Sequence, residues 1–355
     1  MSALPRIQPT KNNHETQWID GADLLSQAPE IDWLVEGILP SGTVGDVFGA
    51  PSDGKTTLIL DLAVHVAAGS GTWCGRRIAG GPVLILGGEK SSAEVWRRDY
   101  HRAGGPELIG GERGRFIIAP ADLGPLWEWN RRQNIWEKPT GSWNSLMAVA
   151  ADIRPVLTII DTIGRVAAGQ DPLDIPQQQR LAVQMEALQK RIGGTVLSLS
   201  HTNQASKKEK LKDRLDYVAR SGGNGLPGHL RWLLGVTRLS EIEVAAALGL
   251  DPQNADDAYD IETRRLIGVA VSKGSEMPPA AWPRTEPAIF DLRDDGKLEM
   301  IGTQSARIIE QMIDDAAGRK KSGKGARGRN GITLEKGDAE AKRFRARKGG
   351  NNGAL

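Results

Sequence analysis

Gly49-Ala50-Pro51-Ser52-Asp53-Gly54-Lys55-Thr56 is the stretch on which the fold turns. It fits the pattern G-x-x-x-x-G-K-[ST] and lies between an apolar run at 44–48 and an apolar, helix-length run at 57–68 that stops at Gly69. A strand that turns through glycines into a helix is the setting such a loop requires. Successive backbone N–H groups and the positive end of the helix then surround a phosphate chain, and the glycines let the backbone come close to it. Lys55 is placed to reach the β and γ phosphates, and Thr56 to offer its hydroxyl to Mg²⁺. Gly49, Ala50, Pro51, Ser52, Asp53, Gly54, Lys55, Thr56 and Thr57 are therefore the candidate nucleotide contacts, with ATP and Mg²⁺ as the expected cofactors.

Outward from this loop, short runs rich in Val, Ile and Leu recur at 83–86, 156–160, 196–199, 232–236 and 266–271, separated by helix-length segments. Near-continuous apolar strands alternating with helices predict an α/β fold, a mainly parallel sheet covered by helices on both faces. Residues 175–191 place Leu181, Met185 and Leu188 on one stripe and stop before Gly193-Gly194, which reads as a crossover helix. Residues 120–144 hold four of the ten tryptophans. There Trp127-Glu128-Trp129 faces Ile135-Trp136 across a polar turn, and cross-strand packing is the expected use of these rings rather than stacking on bases.

A metal-bound nucleotide needs a second acid at the tip of a neighbouring buried strand, and the run 156–160 ends in Asp161. Thr162 follows where a second acid is absent, so the residue that activates water lies elsewhere. The run 83–86 leads through Gly87-Gly88 to Glu89, whose expected task is to orient the attacking water. A third run, 195–200, ends in His201, placed to bond the γ-phosphate and report its loss to residues 203–220. That segment holds Lys207, Lys208, Lys210, Lys212, Arg214 and Arg220 among the acids Glu209, Asp213 and Asp216. It reads either as a DNA-contacting loop or as a mixed-charge solvated segment.

Composition narrows the classes further. The single cysteine, Cys74, excludes an internal disulfide and a multi-thiol metal site, which fits a reducing, cytoplasmic setting. No stretch reaches the roughly 18 consecutive apolar residues of a membrane span, and residues 1–20 are polar, so no membrane association is expected. Residues 319–355 carry twelve Lys or Arg against three acids, a charge of +9 in a chain whose net charge is only +2. They are too polar to build a core, and the expectation is a disordered basic tail attracted to nucleic-acid phosphate.

Taken in order, these motifs resemble the RecA-fold hexameric replicative helicases of the plasmid RepA type and their phage and plasmid relatives, over about residues 33–283. The marks are the phosphate loop, Gly87-Gly88-Glu89, Ile160-Asp161-Thr162-Ile163-Gly164-Arg165, the strand ending at His201-Thr202, Arg220-Ser221-Gly222 followed by Arg231-Trp232, and Ser272-Lys273. Relatives often carry paired histidines where this chain has Ser200-His201, and an asparagine-and-tyrosine pattern where it has Gly274-Ser275-Glu276. The resemblance implies a RecA-like P-loop NTPase in which Glu89 is the catalytic base, Asp161 the magnesium-shell acid and His201 the γ-phosphate sensor. It also implies that Arg231 is an arginine finger reaching a neighbouring subunit's site, with Arg220 and Lys273 contacting nucleotide at the same interface. The implied function is an ATP-driven helicase or translocase. Its implied partners are single-stranded DNA, further copies of the chain in a hexameric ring, and a primase or replication initiator. The alternative is a DNA-dependent ATPase switch that loads or remodels replication or recombination proteins without unwinding. The expected organisation is an N-terminal arm at 1–31, an ATPase core at 32–300, a helix at 301–318 and the basic tail at 319–355.

Overall fold

The apolar run before the phosphate loop forms β1 (Val44–Gly49), the central member of a nine-stranded sheet. The other members, in chain order, are β2 (Val83–Leu86), β3 (Phe116–Ile118), β4 (Leu157–Ile160) and β5 (Thr195–His201). They are followed by β6 (Trp232–Arg238), β7 (Arg265–Gly274), β8 (Ala288–Leu292) and β9 (Leu298–Thr303). This computed structural model describes residues 31–69, 71–87, 92–120, 122–169, 171, 174–202, 208–219, 225–250, 265–274, 281–293 and 295–322. Glu89, Lys207, Arg220, the arm before Ile31 and the tail beyond Ser322 lie outside the described residues.

Across the sheet the order is β9-β8-β7-β6-β1-β5-β4-β2-β3. Every pairing from β6 to β3 is parallel, whereas β6, β7, β8 and β9 are joined antiparallel. The fold is thus the expected mainly parallel α/β architecture, extended at one side by three antiparallel strands. One strand, β5, separates the phosphate-loop strand from the strand that ends at Asp161, and this spacing sets the distance between the two halves of the site.

Both faces are covered because successive strand residues point to opposite sides and both sides are apolar. On one face α1 (Lys55–Ala68) buries Leu58, Ile59, Leu62 and Val66 against Val47, Ile85, Ile159, Leu197 and Leu234. It ends at Gly69, whose left-handed φ of 62° turns the chain out of the helix. On the other face α4 (Ile175–Ile192) seats Leu181, Met185 and Leu188, the predicted stripe, on Phe48, Leu84, Ile160 and Val196. Each such side chain stabilises the fold by about 1.5–3 kcal/mol, and Leu58→Ala would cost roughly 2–5 kcal/mol through the cavity it leaves beneath the phosphate loop. Here α2 denotes Ala93–Arg102, which follows β2, and α3 denotes Thr140–Ile153.

The tryptophan-rich segment is a hairpin, Trp127–Asn130 against Ile135–Glu137, with Trp129 opposite Trp136. Their ring centroids lie 5.2 Å apart, and Trp127 is fully buried, so these rings pack within the fold. A third cluster joins the antiparallel extension to α6 (Glu241–Ala247) and α7 (Ala306–Ser322) through Val244, Leu266, Ile289 and Ile309. The short α5 (Gly225–His229) precedes β6 and packs Leu226 into the cluster that holds Leu181 and Met185. The boundary expected at residue 300 falls inside β9, so the sheet runs to Thr303 before α7 begins. Among the described residues no helix is long and apolar enough to cross a membrane.

Candidate nucleotide site

At the carboxyl end of β1 the chain folds into a tight loop held by Asp53. Its carboxylate accepts from the Ala50 N–H at 2.9 Å, and its own N–H donates to the Ala50 carbonyl at 3.2 Å. Ser52 and Gly54 take left-handed backbone angles, φ 69° and 90°, which turn the chain into α1. Gly49 has a different task. A Cβ there would fall 2.3 Å from the Val236 carbonyl oxygen, so glycine is what allows β6 to lie against the start of the loop.

Lys55 is buried, and its ammonium donates to the Gly49 and Ala50 carbonyls, both at 2.9 Å. Its Nζ also lies 3.4 Å from His201 Nδ1. An ammonium taken out of water needs such partners, and they fix it at the mouth of the loop. One residue on, the Thr56 hydroxyl donates to the Asp161 carboxylate at 3.1 Å. The metal-binding pair expected from sequence is therefore brought together across β5 from residues 105 positions apart.

Register explains why these groups meet. His201 is level with Gly49 across the β1–β5 pair, and the Thr202 N–H donates to the Gly49 carbonyl at 3.2 Å. Ile160 is level with Leu86, and the Asp161 N–H donates to the Leu86 carbonyl at 2.8 Å. A Cβ on Gly87 would sit 2.5 Å from the Asp161 carbonyl oxygen, so glycine is what lets the end of β2 lie against the Asp161 backbone. Glu89 itself lies outside the described residues.

Two contributors were not anticipated from the sequence. Asp46, buried within β1, accepts from the Ser198 and Ser200 hydroxyls of β5, each at 2.5 Å. This buried network ties the phosphate-loop strand to the strand bearing His201, and its signal was an acid inside an otherwise apolar run. Trp96 of α2 closes, with Ile59, Ile85 and Ile159, a cavity of about 10 Å³ beneath Thr56 and Asp161. Its helix is capped by Ser92, which comes three positions after Glu89 in the sequence.

Arg231 and Lys273 stand elsewhere. Trp232 is level with Gly45 and Leu233 with Lys273, which places both cations at the amino edge of the parallel strands. At about 3.3 Å per residue they are roughly 15 Å from Gly49, on the edge opposite their own phosphate loop. Lys273 donates to the Pro227 and Gly228 carbonyls at 2.9 and 3.2 Å. Burial, and then the neighbouring Arg231 charge, hold its pKa below the ordinary lysine value. Arg231 is exposed. The structure does not bring either residue to Lys55, Thr56 or Asp161 of the same chain.

The basic segment after His201 differs from an open, charged loop. Leu211 and Leu215 are buried, and Arg214 Nη2 donates to both carboxylate oxygens of Glu243 at 2.9 and 2.8 Å with both side chains largely buried. Lys210 lies 3.8 Å from both Glu310 and Asp314, and Asp216 pairs with Arg284. Lys210 and Arg214 thus anchor the segment to α6 and α7 through internal partners, which neither the DNA-contacting nor the solvated reading of the sequence included.

A family model described as an AAA domain matches residues 8–207, a span that includes the phosphate loop, Glu89, Asp161 and His201. No curated protein matches the chain. Among solved structures, the chain is similar to a KaiC-like protein of the hyperthermophilic archaeon Pyrococcus horikoshii, with a TM-score of 0.46 and 13% identity, over 75% of this chain and 93% of that one.

Proposed function

We propose, from the premise that this chain belongs to the AAA domain family of P-loop ATPases, that it is a ring-forming, ATP-driven DNA helicase or translocase of the plasmid RepA type. The observation that carries this reading is the separation of two sets of charged groups. Lys55, Thr56, Asp161 and His201 converge at one edge of the sheet, while Arg231 is exposed at the other. A guanidinium so far from its own phosphate loop is useful to ATP only when a second copy stacks head to tail and accepts it.

The residues at the loop fit a magnesium-bound nucleotide. A hydroxyl and a buried carboxylate 3.1 Å apart are hard oxygen donors suited to holding the ion and its water shell. When bound, Mg²⁺ neutralises charge on the β and γ oxygens. Lys55 then exchanges its carbonyl partners for phosphate oxygens and holds the leaving and transferring groups in line. Glu89 orients the attacking water and takes its proton. Next to Lys55, His201 is positioned to bond the γ-phosphate, and through Asp46 its strand is fixed relative to the loop. Arg231 of a neighbouring copy counters the charge that spreads over the γ-phosphoryl oxygens in the transition state.

A second reading, a DNA-dependent ATPase switch that loads a primase or replication initiator without unwinding, draws on a specific observation. Lys210 and Arg214 are held in internal ion pairs, which reduces the basic surface that residues 208–219 offer to a strand. Measuring ATP turnover with and without single-stranded DNA, and strand release from a forked duplex, separates the two. Stimulated turnover with release supports the helicase; stimulated turnover without release supports the switch; turnover indifferent to DNA rejects both. Deleting residues 319–355 is expected to weaken DNA binding and flatten its salt dependence, as loss of clustered positive charge should.

A further inference from the structure

We infer that Arg131 and Arg132, at the tip of the tryptophan hairpin, hold the phosphate backbone of single-stranded DNA, and that the hairpin links this hold to the chain beside Asp161. The tip is the turn 131–134 between Asn130 and Ile135, which are level with one another. Asn130 builds it. Its side-chain oxygen accepts from the Arg132 and Gln133 N–H groups at 3.0 and 3.1 Å, and its main-chain carbonyl accepts from the Asn134 N–H at 2.8 Å. Asn134 supplies the left-handed φ of 58° that returns the chain, a conformation asparagine adopts more readily than most residues. From α4 the Arg180 guanidinium donates to the Asn134 carbonyl and stands 5.9 Å from the Trp129 ring, which braces the turn. Arg131 and Arg132 are left exposed, and among the described residues neither guanidinium makes a hydrogen bond or ion pair.

The tip stands on the nucleotide side of the sheet. Because α4 joins the parallel strands β4 and β5, its first residue lies at their carboxyl edge. Arg180 follows five positions later, roughly 7.5 Å along an axis that rises about 1.5 Å per residue. The hairpin is also tied to the chain just past Asp161. Ala167 and Ala168 pair in parallel with Trp127 and Glu128, and the Leu126 N–H donates to the Val166 carbonyl at 2.8 Å. Only Thr162 and the helical turn Ile163–Val166 separate that pairing from Asp161. The chemistry of the tip favours a phosphate chain over a protein. Two neighbouring guanidinium forks match phosphate oxygens, and Ile135 is the one exposed apolar side chain of the hairpin, too little for the core of a protein interface. The hairpin's acids, Glu128 and Glu137, are paired at its base, away from the turn. The tip thus supplies the basic contact that Lys210 and Arg214, held in internal ion pairs, do not.

This rests on the helicase or translocase reading above, and the test keeps the two apart. Binding of a fluorescently labelled single-stranded oligonucleotide to the full-length protein, with a slowly hydrolysed ATP analogue and Mg²⁺, is followed by anisotropy across a salt series. Loss of two phosphate contacts lowers the slope of log affinity against log salt by about 1.4, at about 0.7 per contact on a single strand. The double variant Arg131→Ala with Arg132→Ala is expected to show that drop and to bind roughly tenfold more weakly at low salt. Its ATP turnover without DNA should match wild type, while the stimulation by DNA is lost. The double lysine variant, which keeps both charges, should retain the slope. As a control, Lys297→Ala with Arg307→Ala removes two exposed charges, one from the turn before β9 and one from α7, and should leave the slope unchanged. An unchanged slope in the double alanine variant, or an equal drop in the control, would overturn the inference and leave the helicase reading standing. Full stimulation by DNA despite the lost slope would overturn the link to Asp161. Wild-type protein that binds no single-stranded DNA would remove the helicase reading and this inference with it.

Discussion

The two edges of the central sheet treat charge in opposite ways. At the carboxyl edge Lys55 and Asp161 are buried, and each is fixed by defined partners, the loop carbonyls for one and Thr56 for the other. At the amino edge Arg231 is exposed and Lys273 rests on the carbonyls at the end of α5. Buried, partnered charges are preorganised and need no rearrangement when the reaction develops charge. Arg231 keeps its solvent contact, and under the proposed function the surface that desolvates it is a neighbouring copy. Under the proposed function the contrast teaches that the buried edge is built to bind nucleotide within one copy, whereas the exposed edge serves only a neighbouring one.

That contrast is most easily broken at Arg231. Arg231→Ala is expected to bind ATP normally and to lose about 10³- to 10⁵-fold in turnover, the range a finger supplies. Mixing it with Lys55→Ala protein should restore activity at those interfaces that pair an intact loop with an intact Arg231. Full activity of Arg231→Ala alone would erase the distinction between the edges. Glu89→Gln comes next, with turnover expected to fall about 10²- to 10⁴-fold while ATP affinity holds, since an amide keeps the shape but cannot take a proton. Single-turnover hydrolysis at the wild-type rate would take Glu89 out of the buried edge's chemistry. Asp161→Asn sharpens the picture rather than breaking it: the Mg²⁺ concentration needed for ATP binding should rise about 10- to 100-fold. An unchanged Mg²⁺ titration would mean that the hydrogen bond to Thr56 is structural.

The buried edge was the legible one. Val44 to Phe48, the glycine loop and the apolar helix announce themselves through local pattern, and Asp161 and His201 each end a run of strand residues. What the pattern could not supply was register. That Thr56 and Asp161 meet at 3.1 Å depends on β5 lying between β1 and β4, a non-local fact. The antiparallel extension was partly hidden for a related reason. Only the run at 266–271 stood out in the sequence; β9 is half-exposed at the edge of the sheet and lacks a continuous apolar run. Arg214 shows the limit most sharply, because a basic residue among acids reads the same whether its partner is solvent, DNA or a buried Glu243.

Lys273 carries the smallest expected effect and joins the two sides of the comparison, because it is a charge on the exposed edge that is half buried. Its pKa is lowered from 10.5 by burial first and by Arg231 second, so the folded protein holds that proton less tightly than the unfolded chain does. The unfolded state therefore binds more protons in the window between the lowered folded-state pKa and 10.5, and wild-type stability rises with pH there. Below that window the lysine is charged in both states and its destabilising contribution is fully present. Lys273→Met removes the charge. The variant is expected to unfold at a slightly higher temperature than wild type near neutral pH, with the difference shrinking as pH climbs toward 10.5. Its turnover should fall no more than about tenfold, the effect of one charge at an interface whose main contributor is Arg231. Paired melting curves at neutral and alkaline pH, read beside turnover, test this. A variant that is less stable at neutral pH would show that the bonds to the Pro227 and Gly228 carbonyls outweigh the cost of burying the ammonium, and would make Lys273 a structural strut rather than part of the assembling edge.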